Sequence, residues 1–242
     1  MRDFMPVGSA LMNRQLKMLY EDNHLLVVVK PVNVPTQADS SGDLDLVTLV
    51  KADLKERYHK PGQVFVGLVH RLDRPVGGVM VFAKTSKAAA RLGEQIRLHE
   101  FKKLYFAVVR GTPAVGAGRL THYLRKDPRT NMVRVVTNPE PGAKEAILDY
   151  QVLETVAGLS LVKIDLQTGR SHQIRVQMAA NACPLYGDQK YGAKVNHPGE
   201  QLALWAATIE FKHPTKPERL RFTADPPGEY PWALFSAFSA DC

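Results

Sequence analysis

The chain has 242 residues, enough for one large domain or two small ones, and its 45% apolar and 23% charged content is that of a soluble globular protein. A net charge of +8 points to a polyanionic partner, with nucleic acid ahead of an anionic membrane. Two cysteines, Cys183 and the terminal Cys242, exclude a disulfide framework and a Cys-rich zinc site, and the early "LLVVV" run stops at Lys30, far short of a membrane span. A soluble, cytoplasmic protein with no membrane partner is expected.

In chain order, residues 1–16 read as an extension and residues 17–242 as the folded body. "KMLYEDNHLLVVVKP" is a strand pair around a turn at Glu21, Asp22 and Asn23. "LDLVTLVKADLKERY" places Leu46, Leu49, Val50 and Leu54 on one helical face. "QVFVGLVH" and "GVMVFAK" read as strands on either side of the loop "RLDRPVGG", where Pro75 breaks any helix and Gly77 and Gly78 permit tight turns. "TSKAAARLGEQIRLHE" is a helix capped by Thr85 or Ser86, with Ala89, Leu92 and Ile96 as its apolar stripe.

"KKLYFAVVRG" is a strand. "YLRKDPRTNMVRVV" is a strand pair around "DPRTN", and "KEAILDYQVLE" and "LSLVKIDLQ" are two more strands. "SHQIRVQMAAN" is a short helix with Ile174 and Met178 inward, and "LALWAATIEF" with "ERLRFTA" forms a hairpin around "KHPTKP". Strands outnumber helices and connect mainly by hairpins. The expected class is α+β, a mixed, mainly antiparallel sheet with flanking helices.

Three constellations carry chemistry. Asp73 lies between Arg71 and Arg74 in a constrained loop between strands. Such an acid is either a surface ion pair to Arg71 or Arg74, contributing about 0–1 kcal/mol, or a reactive group displayed by a rigid scaffold. Neighbouring cations would hold it ionised, below the ordinary aspartate value of about 3.9, which is the state a carboxylate nucleophile needs. In "LQTGRSHQIRVQM", Arg170, Ser171 and His172 stand at a helix start, where free N–H groups and a guanidinium either suit an anion, a phosphate or the Asp73 carboxylate itself, or merely carry a solvated arginine. His172 reads better as a hydrogen-bonded structural histidine than as a base. Tyr105 points away from Leu104 and Phe106, as a core side chain or as a platform on which an extruded base stacks.

The loop with Arg125, Lys126, Arg129 and Arg134 supplies phosphate contacts. No HExxH, Cys-rich, P-loop or dinucleotide-binding spacing occurs, so the expected chemistry needs no metal, cofactor or nucleotide fuel.

These segments resemble the RluA-type family of RNA pseudouridine synthases. "HRLDRPVGGVMVFAKT" is similar to that family's HRLDxxTSG segment, "KKLYFAVVRG" to its K-x-Y strand and "LQTGRSHQIRVQM" to its TGRxHQIR segment. "YEDNHLLVVVKPVNVPT" and "PLYGDQKYG" resemble further stretches, in the same order, over residues 17–226. The resemblance implies the pseudouridine synthase catalytic-domain fold and the isomerisation of uridine in an rRNA or tRNA stem-loop by a monomer. Asp73 would be the nucleophile, Tyr105 would stack on the flipped uracil and aid loss of the C5 proton, and Arg170 would pair with Asp73. Arg71 would fill the gap left by the flipped base. His70, Arg74, His172, Gln173 and Arg175 would complete the RNA-facing and supporting set, with Leu72 beneath.

The pattern departs from the family where Val76, Gly77 and Gly78 stand for Thr-Ser-Gly, and where Trp205 stands for a frequent histidine. No separate N-terminal RNA-binding domain is expected. The competing readings are an RNA-binding protein without turnover and a metal-free hydrolase using Asp73. The intact Asp73, Tyr105 and Arg170 set disfavours the first, and the lack of a second, suitably spaced carboxylate disfavours the other.

Overall fold

The structure is a computed structural model that describes residues 16–137 and 140–238. The expected extension at residues 1–16 falls almost wholly outside the described residues, as does Cys242. The chain divides into two compact units, Met1–Phe101 with Glu210–Ala224, and Lys102–Ile209 with Asp225–Cys242.

The first unit is built on a buried strand pair. Strands β1 (Met18–Glu21) and β2 (Leu25–Lys30) form the expected hairpin. Its turn is held by Asp22, whose Oδ1 accepts from His24 N at 2.7 Å and Leu25 N at 2.8 Å. These bonds, with a third from His213 Nε2 at 2.8 Å, outweigh burial and hold Asp22 well below the usual carboxylate range. β2 pairs antiparallel with β4 (Gly77–Ala83), matching Val27 to Val81 and Lys30 to Gly78. Leu25, Leu26, Val27 and Val28 are all 0% exposed, so neither face of β2 reaches solvent, which explains why its sequence runs apolar instead of alternating.

Strand β3 (Gly67–Leu68) is far shorter than the eight-residue run "QVFVGLVH" suggests. Backbone proximity dictates the residue here: a Cβ on Gly67 would stand 2.9 Å from the Ala89 Cβ. Gly77 and Gly78, expected in the loop, instead begin β4, with Gly78 at φ +123° opposite Lys30. Helix α1 (Leu46–Arg57) starts at Asp45, whose side chain accepts from Thr48 N; it buries Leu46, Val50 and Leu54 of the expected face, while Leu49 is only half-buried. Helix α2 (Ser86–Arg97) is capped by Thr85 but buries Ala88, Leu92 and Gln95. Its inward face is therefore turned from the expected one, because Gln95 Nε2 reaches Lys212 O at 2.9 Å and its Oε1 accepts from Lys212 N at 2.8 Å.

The second unit is an antiparallel sheet in the order β5 (Lys102–Arg110), β9 (Leu159–Leu166), β8 (Lys144–Val156), β6 (Ala117–Asp127), β7 (Met132–Val136). Helix α3 (Gln173–Ala180) lies on β6 and β7, with Val176 joining Leu124, Val133 and Ala146 in one apolar cluster. Strand β10 (Leu204–Lys212) begins in this unit and ends in the first, where β11 (Arg219–Thr223) pairs with it. The class is α+β with mainly antiparallel pairing, as the sequence predicts. Among the described residues, no helix is long and apolar enough to cross a membrane.

Candidate functional site

In the first unit, Asp73 lies on the segment between β3 and β4, and every contact beneath that segment fixes its path. Leu72 is buried, and its peptide is gripped at both ends by Thr36 Oγ1, which donates to Leu72 O at 2.8 Å and accepts from Leu72 N at 3.3 Å. A tight turn follows, with Val76 N donating to Asp73 O at 3.0 Å. His70 extends the pairing of β3 through its side chain, since its Nε2 accepts from Val81 N at 3.1 Å. The residue expected to face RNA thus supports the strand behind the loop.

Beneath Asp73 is a lysine that lies outside the expected set of site residues. Lys30 is 0% exposed, and its Nζ donates to Pro31 O at 2.9 Å, Val34 O at 2.6 Å and Arg74 O at 3.1 Å. Burial pushes its pKa down to about 7, while the Asp73 charge pulls it upward and Arg74 opposes that pull. An apolar strand ending in Lys-Pro was the visible signal. The unfolded chain therefore binds more protons than the native chain between about pH 7 and 10, so native stability rises with pH across that window. Between pH 7 and 9.5, Lys30 should add on the order of 3 kcal/mol. Urea unfolding of wild type and Lys30→Met at both pH values checks this: the wild-type gain should exceed the variant's, and equal gains would refute it.

Arg74 does not turn to its neighbour Asp73. Its guanidinium engages an acidic loop, at 2.5 Å to Asp43 Oδ2 and 3.1 Å to Asp39 Oδ1, with Ser41 also bonded. The surface ion pair considered between Arg74 and Asp73 is replaced by these two. Arg71 is exposed.

In the second unit, Tyr105 sits opposite Ile164, which in turn sits opposite Tyr150, so the three share one face of the sheet. Tyr105 is only 6% exposed, so its ring is fixed by packing. The segment after β9 is knotted by Gln173. Its Oε1 accepts from Thr168 Oγ1 at 2.8 Å and Arg170 N at 2.9 Å, and its Nε2 donates to Ile147 O at 3.0 Å. The chain enters α3 through His172 in the left-handed region at φ +52°, and His172 Nδ1 meets Tyr191 Oη at 2.6 Å. Gln173 and His172 are accordingly engaged by the protein itself.

The two arginines of this segment differ sharply. Arg170 is exposed, and its Nε donates to Glu145 O at 2.8 Å. Arg175 is buried, and its Nε and Nη2 each lie 2.8 Å from the carboxylate of Asp188. Asp188 also accepts from Lys190 N and Tyr191 N, and the Arg175 guanidinium stands 5.3 Å from the Tyr191 ring centroid. Salt bridge and N–H donors together hold Asp188 below the carboxylate range against strong desolvation. The expected amphipathic helix, with Ile174 and Met178 inward, is instead buried nearly all round: Gln173, Arg175 and Gln177 are interior too, each with hydrogen-bond partners. Asp188 and Tyr191 carried a signal in "PLYGDQKYG", where Gly187 at φ +73° admits no side chain because a Cβ would fall 2.3 Å from Gln201 O.

Arg125, Lys126, Arg129 and Arg134 come together, exposed, on the β6–β7 hairpin. Arg125 and Arg134 are cross-strand partners, and Glu140 bonds both.

Residues 24–180 match the family model described as RNA pseudouridylate synthase. Among curated proteins, the chain is 33% identical to ribosomal large subunit pseudouridine synthase D of Xanthomonas campestris pv. campestris, covering 93% of this chain and 70% of that one. It is 28% identical to RNA pseudouridine synthase 2, chloroplastic, of Oryza sativa subsp. japonica, covering 89% of this chain but only 63% of the relative. Among solved structures, human RNA pseudouridylate synthase domain containing 4 superposes with a TM-score of 0.76 at 24% identity, over 94% of each chain. Human RNA pseudouridylate synthase domain containing 1 gives a TM-score of 0.70 at 25% identity, covering 88% of this chain and 84% of that one.

Proposed function

Because this chain belongs to the RNA pseudouridylate synthase family of isomerases, we propose that it converts specific uridines of structured RNA, in an rRNA or tRNA stem-loop, to pseudouridine. In this reading residues 17–242 act as one catalytic domain, as a monomer, in the cytoplasm. The reaction is an isomerisation: the N1–C1′ bond breaks, the uracil turns, C5–C1′ forms, the C5 proton leaves and N1 takes up a proton. Nothing is oxidised or hydrolysed, so the proposal calls for no cofactor and no nucleotide fuel.

The observation that carries the reading is the Asp73 segment. A carboxylate displayed on a strand-to-strand loop, gripped by Thr36 and underlain by the buried Lys30 ammonium, is a group whose position is fixed before substrate arrives. Asp73 is the proposed nucleophile. Tyr105 stacks on the uracil, and its hydroxyl assists loss of the C5 proton. The exposed Arg71 fills the vacated stack.

The two arginines of the segment after β9 are held with different firmness. A guanidinium locked by Asp188 and Tyr191 has a single orientation, whereas Arg170 is exposed and held by one carbonyl. Arg125, Lys126, Arg129 and Arg134 supply phosphate contacts from the β6–β7 hairpin, and Arg74 joins them by exchanging its acidic loop for RNA. Mapping pseudouridines in cellular RNA with and without the gene tests the function. Loss of modification at defined uridines is expected, and an unchanged map would oppose it.

A further inference from the structure

We propose that Lys103 and Arg170 together bind one phosphodiester of the RNA, at the nucleotide being isomerised. The proposal rests on the RNA-substrate reading above and extends it to a contact through Lys103, which lies outside the expected set of site residues.

Lys103 is two residues before Tyr105 on β5 and so shares its face of the sheet. It is half-buried, and its Nζ lies 3.2 Å from where a Cβ on Gly169 would stand. Gly169 immediately precedes Arg170 in the chain. Two cations are therefore packed together: Arg170 depresses the Lys103 pKa by direct repulsion, in addition to the larger effect of desolvation.

Five arginines of this unit have acids. Arg119 is paired with Asp149, Arg110 with Glu200, Arg125 and Arg134 with Glu140, and Arg175 with Asp188. Among the described residues, neither Lys103 nor Arg170 has a carboxylate within ion-pair distance, and the Lys103 ammonium has no hydrogen-bond acceptor.

A desolvated ammonium with no counter-charge is costly, and a second cation beside it adds to that cost. An arriving anion removes both penalties. The proximity of the Tyr105 strand selects the anion: a base stacked on Tyr105 brings its own phosphodiester with it, and the ammonium of Lys103 suits a phosphate as a point charge. Glu145 O, by taking Arg170 Nε, leaves the guanidinium's terminal nitrogens to share the same phosphate.

The test measures RNA affinity against salt in an Asp73→Asn background, which keeps turnover out of the binding signal. Lys103→Met should lower the slope of log K against log salt by about 0.7, the contribution of one phosphate on single-stranded RNA. Arg170→Met should act on the same phosphate, so the double variant should fall short of the summed losses. A neutral methylphosphonate at the target nucleotide should weaken Asp73→Asn alone and add nothing once Lys103→Met is present. Heat melting separates binding from folding: removing an unpartnered, partly buried charge should leave the melting temperature equal or higher.

An unchanged slope, additive losses with the methylphosphonate, or a lowered melting temperature at constant slope overturns the proposal. Inorganic phosphate is the second probe. If it raises the melting temperature and Lys103→Met cancels that rise without altering RNA affinity, the site takes free phosphate and the RNA assignment fails. Turnover of otherwise wild-type protein reports separately on the isomerase reading, so the two can fail independently.

Discussion

Asp73→Asn is expected to make no detectable pseudouridine while folding normally and binding RNA at least as tightly as wild type. The exchange is nearly isosteric and leaves the backbone contacts of the segment, the Thr36 grip on Leu72 and the Val76 turn, untouched. It removes one negative charge from a surface that must meet phosphates, which favours association. It also removes the repulsion-free partner of a buried ammonium: Asp73 is the group that pulls the Lys30 pKa upward, so the variant's Lys30 should lose its proton at a lower pH. Residual turnover, with deamidation back to aspartate excluded, would end the nucleophile assignment.

Tyr105→Phe should retain RNA affinity and lose about 10²–10⁴-fold in turnover, the range typical of positioned proton-transfer groups. At 6% exposure the ring is held by packing, so phenylalanine preserves both the fold and the stacking surface. Tyr105→Ala is the less informative exchange. It would forfeit base stacking worth about 1–3 kcal/mol and also open a cavity in the sheet face, costing on the order of 3–5 kcal/mol of stability. Single-turnover rates for the phenylalanine variant decide the matter: a wild-type rate would leave Tyr105 as a stacking platform only.

The strands of both units were legible because they obey simple rules. Val79 to Phe82 and Tyr105 to Val109 are apolar, β-branched or aromatic runs, and Asp22 and Thr85 act through their side chains where the sequence places them. Less legible was burial that polar residues share. Gln95, Gln173, Arg175 and Gln177 are interior because each finds partners distant in sequence, which no local period reveals. The inward face of α2 and the all-round burial of α3 follow from those contacts.

Asp73 and Tyr105 stood out through their flanking motifs. Lys30 and Asp188 lie in stretches that carried a signal but no role, since a lysine after an apolar run and an aspartate in a glycine-rich turn both resemble surface features. Their weight comes from tertiary contacts: three carbonyls about Lys30, and a guanidinium with two amides about Asp188. Gly77 and Gly78 show the converse. Two glycines beside a proline suggest a loop, yet Gly78 enters β4 because the partner strand still offers Lys30 as its cross-strand neighbour.

The central claim is that a carboxylate at position 73 drives exchange of a uracil N–C glycosidic bond for a C–C one, and this requires loss of hydrogen from C5. Substrate RNA carrying tritium at uridine C5 measures it directly, with purified wild-type protein and Asp73→Asn side by side. The account predicts tritium release by wild type in step with pseudouridine formed, and none above background by the variant. Equal release by both proteins, or none by wild type on an RNA it binds, would contradict it.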